Sequence, residues 1–282
     1  MARRTTVMSG RERPVALVTG ANSGIGLATT LELARRGFRA VGSVRSDEKA
    51  DVVAKAAADG GVEVETVRLD VSDPAAGERV IDELRPYALV NNAGFTVIGA
   101  VEDVTDDEAR TALEAMVLAP MRLARLAVPH MRAQGKGRIV NLSSVYGRMT
   151  TPLAGWYQGA KHALEAVSDA LRIEVASAGI HVVLVEPGGF RTGIWAENER
   201  EVERRVGSRY EGAYRRSLAG MRLAQPVMGD PVQVARVVAG AIAGRWPRPR
   251  YLVGVDAQAV TLWDRLTPTD VKDIVIRLAL GL

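Results

Sequence analysis

The chain has 282 residues, 47% of them hydrophobic and 25% charged, with no cysteine and a formal net charge of +4. Such composition excludes disordered and collagenous classes, and without cysteine there is no disulfide framework, iron–sulfur cluster or thiol nucleophile. The histidines (His130, His162, His181) offer no metal-ligand spacing, and four arginines against one glutamate in the first 14 residues leave the rest nearly neutral, which removes the main argument for nucleic acid.

Residues 1–13 read as a flexible basic arm. They have no apolar stretch of the secretory type and only weakly resemble a transit peptide. No run approaches the roughly 18 apolar residues of a membrane-spanning helix, so a cytoplasmic protein is expected. VALVT (15–19) predicts a buried first strand, followed by a helix at 24–36. RAVGSV (39–44) is the second strand and 47–59 a polar, Ala-rich helix. VEVETVRL (62–69) is the third strand, and 74–84 a helix with Pro74 in its first turn. YALVNN (87–92), GRIVNLSS (137–144), IHVVLVE (180–186) and RYLVGV (250–255) predict strands four to seven. Helical stretches at 105–134, 155–178 and 231–243 separate them. Continuous apolar strands alternating with helices imply an α/β fold: one doubly wound domain at 14–257, with a mostly parallel seven-stranded sheet covered on both faces.

Two helices, at 113–128 and 160–175, are apolar or Ala-rich nearly all round, so each is buried on more than one side. One side is the sheet. The other is a partner subunit, giving a homodimer or homotetramer, or a second layer of the same chain. Residues 193–228 are too long and too charged for a simple connection and read as a helical lid. Residues 258–282 form an amphipathic C-terminal extension carrying Leu262, Trp263, Leu266, Ile274 and Leu278.

The first strand runs into TGANSGIG (19–26). Gly20 allows a tight turn, Gly24 lets backbone approach a pyrophosphate, and Gly26 lets helix and strand pack closely. The N–H groups of a helix starting here favour an anionic phosphate. Tyr157 and Lys161 stand four residues apart in a predicted helix and share a face. Only five of the 37 basic residues are lysine, so a lysine beside a tyrosine is informative.

The Gly-x-x-x-Gly-x-Gly spacing, the Tyr-x-x-x-Lys pair and NNAG (91–94) together resemble the classical short-chain dehydrogenase/reductase family, over roughly residues 14–255. The resemblance implies a Rossmann-type fold and an NAD(P)-dependent enzyme interconverting a carbonyl and an alcohol. It assigns catalysis to Ser144, thirteen residues before Tyr157, with Tyr157 and Lys161. For the cofactor it implies Thr19, Gly20, Asn22, Ser23, Gly24, Ile25 and Gly26. Asp70 and Val71 follow at the adenine, with Asn91, Ala93 and Gly94 beside the adenosine. Pro187, Gly188 and Thr192 would lie near the nicotinamide, with Tyr157 and Lys161 also touching the cofactor. At the end of the second strand Val44 occupies the acid position of NAD-binding chains and Arg45 follows, with Asp47 as a complication. A guanidinium suits a 2′-phosphate, so NADP(H) is favoured over NAD(H).

The lysine's charge is expected to lower the tyrosine's pKa, making Tyr157 a general acid and base. Ser144 would stabilise charge on the substrate oxygen. Phe95, Val145, Trp156, Phe190 and Trp195 give the expected pocket an apolar lining, which suits a small hydrophobic ketone, aldehyde or alcohol. One departure stands out: Met116 occupies the place where the family usually carries an Asn that holds a water on the proton path. That residue supports an alternative, a catalytically silent NADP(H)-binding sensor or subunit.

Overall fold

The computed structural model describes residues 13–282; of the arm expected at 1–13, residues 1–12 lie outside the described residues. The strands are β1 (Val15–Val18), β2 (Arg39–Val44), β3 (Glu65–Arg68), β4 (Ala88–Asn91), β5 (Gly137–Leu142), β6 (Ile180–Pro187) and β7 (Arg250–Val253). They form one seven-stranded sheet in the order β3-β2-β1-β4-β5-β6-β7, and every pairing is parallel. Alternating side chains divide the core. Ala16 and Val18 enter one cluster with Leu33, Val140 and Val238; Leu17 enters the other with Ile81, Leu89, Leu123 and Ile139. Helices α1 (Gly24–Arg35) and α9 (Pro231–Ala243) cover the first face. α3 (Pro74–Leu84) and α5 (Ala119–Ala133) cover the second. α2 (Asp47–Asp59) packs beside β2 and β3.

Helix starts that were legible in the sequence have local causes. Asp73 accepts from Ala75 N and Ala76 N with Pro74 in the first turn, and Asp230 accepts from Val232 N ahead of Pro231. α4 (Asp106–Leu113) opens with a capping box between Thr105 and Glu108. The predicted 105–134 helix is not continuous: a π turn at Glu114–Leu118 joins α4 to α5. Such turns are rare and cluster at functional sites, and this one carries Met116. β3 is shorter than the predicted 62–69. It is the sheet edge, with Val67 its one half-buried residue, so little burial holds its ends in the ladder.

α6 (Gly155–Glu174) ends in a short 3₁₀ turn, Ala176–Ala178. The 193–228 region holds α7 (Ile194–Glu203) and α8 (Glu211–Ala224). The chain ends in α10 (Val255–Leu266) and α11 (Thr269–Leu280). α10 starts at Val255, directly after β7, so the amphipathic extension continues from the sheet. The apolar circumference of 113–128 is covered partly by the chain's own α3, where Leu123 meets Gly77. Leu118, Val167 and Ile173 stay exposed. Among the described residues no helix is long and apolar enough to cross a membrane.

Candidate active site

The strand order reverses between β1 and β4. In open α/β sheets a crevice forms there, at the carboxyl ends of the strands. The β1–α1 turn occupies that point. Gly24 has φ +53°, a conformation side chains rarely adopt, and Thr192 closes over it: a Cβ on Gly24 would sit 3.1 Å from Thr192 Cγ2. At Gly26 a Cβ would lie 2.2 Å from the Gly20 carbonyl oxygen, so no side chain fits. Asn22 and Ile25 are half-buried. Ser23 is the exposed N-cap of α1 and makes no capping bond with its side chain.

Thr19 is fully buried and does not face the crevice. Its Oγ1 accepts from the backbone N–H groups of Asn92 and Ala93, both at 2.9 Å, which staples the end of β4 to the glycine turn. Asn91 is also turned inward: its Nδ2 donates to Asn141 Oδ1 at 2.8 Å and to Pro120 O at 3.3 Å. The neighbouring Asn92 holds the turn instead, donating to Thr19 O at 2.8 Å and Gly20 O at 3.2 Å. Gly94 is exposed at the rim, beside Met116. Arg45 is exposed at the end of β2, and its guanidinium has no hydrogen bond or ion pair among the described residues. Asp47 is engaged by Arg68 at 3.4 Å. Asp70 Oδ1 accepts from Ser72 N at 3.0 Å, and Val71 is half-buried beside it. After β6, Gly188 N donates to Val253 O at 2.9 Å and Gly189 N to Asp256 Oδ2 at 2.5 Å, so Asp256 of α10 shapes the segment between Pro187 and Thr192.

The structure brings Ser144, Tyr157 and Lys161 together at the carboxyl end of β5. Lys161 Nζ donates to Leu142 O at 2.8 Å and lies 5.7 Å from the Tyr157 ring centroid. Ser144 lies near enough to the Tyr157 phenol to draw its pKa down, and its Oγ accepts from Tyr146 N at 3.2 Å. The Tyr146 ring stands edge-on to Tyr157 at 6.3 Å. The expected lowering of the tyrosine's pKa is not found in this state. Burial pushes the Tyr157 phenol up to about 12, the Ser144 hydroxyl pulling the other way and the Tyr146 phenol adding to the rise. Burial also brings Lys161 down to about 8, against the pull of Glu165. Loss of hydration sets the direction at both groups.

Phe95, Trp156 and Tyr157 all pack against the cluster that holds Met116, and Val145 clusters with Met149, Tyr146 and Ala257. Phe190 is a correction: it is 3% exposed and belongs to the core cluster over β6 and α9, not to a pocket wall. Trp195 Nε1 donates to its carbonyl at 2.7 Å. Trp195 itself lines a cleft of about 1010 Å³ that runs from Gly24 and Thr192 along the face of α1. The 193–228 region is anchored to the segment that follows β4. Arg205 reaches Glu108 Oε1 at 2.7 Å, Asp103 O at 2.8 Å and Ile98 O at 3.2 Å. Buried Tyr214 donates to Asp103 Oδ2 at 2.7 Å and accepts from Ala100 N at 2.6 Å, and Asn198 bonds Thr96.

Comparison with known proteins agrees with this geometry. A family model described as short chain dehydrogenase matches residues 14–203. The uncharacterized oxidoreductase YusZ of Bacillus subtilis is 31% identical over 275 residues, covering 94% of this chain and 98% of its own. Retinol dehydrogenase 5 of Homo sapiens is 30% identical over 285 residues, covering 92% of this chain and 86% of its own. Actinorhodin polyketide ketoreductase, solved with NADPH, superposes with a TM-score of 0.76 at 27% identity, covering 89% and 98% of the two chains.

Proposed function

The chain belongs to the short-chain dehydrogenase family and is an NAD(P)-dependent oxidoreductase, and from that premise we propose that it interconverts a hydrophobic ketone or aldehyde and the corresponding alcohol, with NADP(H) as preferred cofactor and Tyr157 as general acid and base. The observation that carries this reading is the convergence of Ser144, Tyr157 and Lys161 beside the glycine turn at the switch point of the sheet. The turn's N–H groups and the start of α1 suit a pyrophosphate, and the space over Gly24 and Gly26 suits its close approach. The nicotinamide, when bound, supplies or takes the hydride.

The chain's own groups handle the proton. In reduction Tyr157 donates to the substrate oxygen while Ser144 hydrogen-bonds the same atom. Lys161, as an ammonium, spends one donor on Leu142 O and has others for the nicotinamide ribose. Burial keeps the Tyr157 phenol in its protonated form, the form that donates in reduction. The reverse reaction needs the positive charge of the oxidised ring to bring the phenol down.

Arg45 supports the NADP(H) preference: at the end of β2 its guanidinium has no partner among the described residues, and the nearest complication, Asp47, is already paired with Arg68. Phe95 and Trp156 beside Tyr157 support an apolar substrate. Exposed Leu118, Val167 and Ile173 on the helices at 105–134 and 155–178 support a homodimer or homotetramer. The catalytically silent alternative is favoured by Met116, a thioether in the π turn where a polar group would serve the relay. The test is a panel of hydrophobic ketones and alcohols with NADPH and NADH, read at the nicotinamide absorbance band. Turnover with NADPH preferred is expected. A strict NADH preference overturns the Arg45 argument, and tight NADPH binding with no turnover of any substrate favours the silent module.

A further inference from the structure

The loop that joins the two groups proposed to meet the substrate oxygen is held from outside itself. Ser144 caps a 3₁₀ turn, Val145–Gly147, and Tyr157 lies in the first turn of α6. Between them, residues 148–154 are fixed at their start, middle and end. At the start, Arg148 reaches Glu186 of β6 with bonds of 2.5 and 3.0 Å. In the middle, the Thr151 backbone N–H donates to Gln158 Oε1 at 3.0 Å, and Gln158 Nε2 donates to Thr151 Oγ1 at 2.8 Å. At the end, Gly99 N donates to Leu153 O at 2.8 Å, and Gly99 forms a parallel bridge with Ala154.

The loop carries strain. Among the described residues other than glycine, only Arg85 and Leu153 have a positive φ. Arg85 is the C-cap of α3, a place where the left-handed conformation commonly ends a helix. Leu153, at φ +69°, caps no helix. It is buried and packs with Ile98, Ala100 and Tyr214. A bulky side chain persists in that conformation only where its surroundings over-determine it, and such residues gather at functional sites. Earlier in the loop, Met149 packs with Val145 and Ala257 in a separate cluster. The loop therefore has an apolar foot in each cluster, and Gln158 holds the stretch between them. Gln158 directly follows Tyr157 and is 0% exposed. A buried amide needs partners, and both ends of this one go to Thr151 across the loop. An apolar side chain would fill the same place without that demand.

We propose that Gln158 is a positioning residue: by clamping Thr151 it holds the 148–154 loop in its strained form and so sets which carbonyl substrates reach Ser144 and Tyr157. This rests on the reading of Ser144 and Tyr157 given above. The side chain of Gln158 bonds Thr151 and neither of those two residues, so it acts through the loop. Without the clamp, Leu153 relaxes toward a negative φ and the wall between the two apolar feet loosens. A larger ketone then gains on a smaller one. The glycine turn lies on β1 and α1, and no bond of the clamp reaches it, so NADPH binding stays as it was.

The test is reduction of cyclohexanone and of the fused-ring 2-decalone with NADPH in Gln158→Met, Thr151→Val, Thr151→Ser and the paired Gln158→Met/Thr151→Val variant. NADPH titration and amide hydrogen exchange of the 148–154 peptide accompany each. Gln158→Met keeps the bulk and removes both bonds. It speeds exchange in the peptide about tenfold and moves the kcat/KM ratio roughly fivefold toward 2-decalone, mainly through KM, with NADPH affinity within about twofold of the parent's. Thr151→Val keeps the backbone bond and moves the ratio the same way by less. Thr151→Ser keeps both bonds and matches the parent. The paired variant matches Gln158→Met, because the two side chains serve one contact. Unchanged exchange in Gln158→Met, or faster exchange with an unmoved ratio, overturns the proposal. So does an equal loss for both ketones with weaker NADPH binding, the mark of general damage. Where Gln158→Met does not fold, Thr151→Val decides, and an unmoved ratio there overturns the proposal. Tyr157→Phe is run alongside. Ketone turnover surviving in it, or a parent that reduces no ketone, defeats the underlying reading; an inactive Tyr157→Phe with an unmoved ratio defeats only the role of Gln158.

Discussion

The two ends of the crevice are made of different material. The phosphate end is a backbone structure: one glycine turn, a helix start, and two residues, Thr19 and Asn92, that tie the turn to β4 through main-chain groups. The end proposed for the substrate is bordered by side chains far apart in the chain. Tyr214 meets Asp103 across 111 residues, and Arg205 meets Glu108 across 97. Backbone sites are fixed by local geometry, so a single added methyl disrupts them. Side-chain walls distribute their support, so single deletions there trim specificity and leave the fold in place.

That contrast can be broken at four points. The largest effect is expected from Gly26→Ala, which forces a Cβ against the Gly20 carbonyl oxygen and Asn92. It costs about 1–3 kcal/mol of overpacking strain, which corresponds to as much as roughly a hundredfold in NADPH affinity if the strain falls on the binding turn. Titration by nicotinamide fluorescence measures it, and unchanged affinity would show that the turn is not the phosphate site. Next is Arg45→Ala, expected to raise KM for NADPH by roughly tenfold, the scale of a charge-assisted hydrogen bond, while leaving NADH untouched. An equal effect on both cofactors would contradict a 2′-phosphate contact. Third is Tyr214→Phe, which strips the hydroxyl that joins Asp103 to Ala100. It should cost about 1–2 kcal/mol of stability and change kcat/KM for bulky substrates severalfold, with NADPH affinity constant; a change in NADPH affinity would erase the distinction between the two ends. The smallest is Met116→Asn. Met116 is 1% exposed in an apolar cluster, so a buried amide lowers the melting temperature, yet turnover stays at or above the parent's. A large loss of turnover in the folded variant sinks the reading of Met116 as a weakened relay.

The same contrast explains what could be read from the sequence. The sheet, its parallel sense and the start of α3 and α9 follow from apolar runs and from Asp-Pro caps, which are local signals. So does the glycine turn, because the conformation at Gly24 and the contact at Gly26 exclude other residues. The π turn around Met116 was hidden because its apolar pattern continues unbroken through 105–134. Phe190 was misread because an aromatic after a strand suits a pocket wall and a core equally, and only packing against α9 decides. Asn91 turns inward to Asn141 while Asn92 turns to the glycine turn, because the pleat sends neighbours to opposite sides. Asp256 and Tyr214 had no local signal: each acts on a partner from a distant segment. The pKa directions at Tyr157 and Lys161 were likewise set by burial, which spacing alone does not reveal.

The central claim is that Tyr157 carries the proton in a reaction whose cofactor site is independent of it. The direct measurement is Tyr157→Phe, with NADPH affinity and single-turnover ketone reduction recorded on the same folded sample. The account predicts parental NADPH affinity with the rate down by about three orders of magnitude, within the range for losing a general acid. A rate within a few-fold of the parent would contradict it.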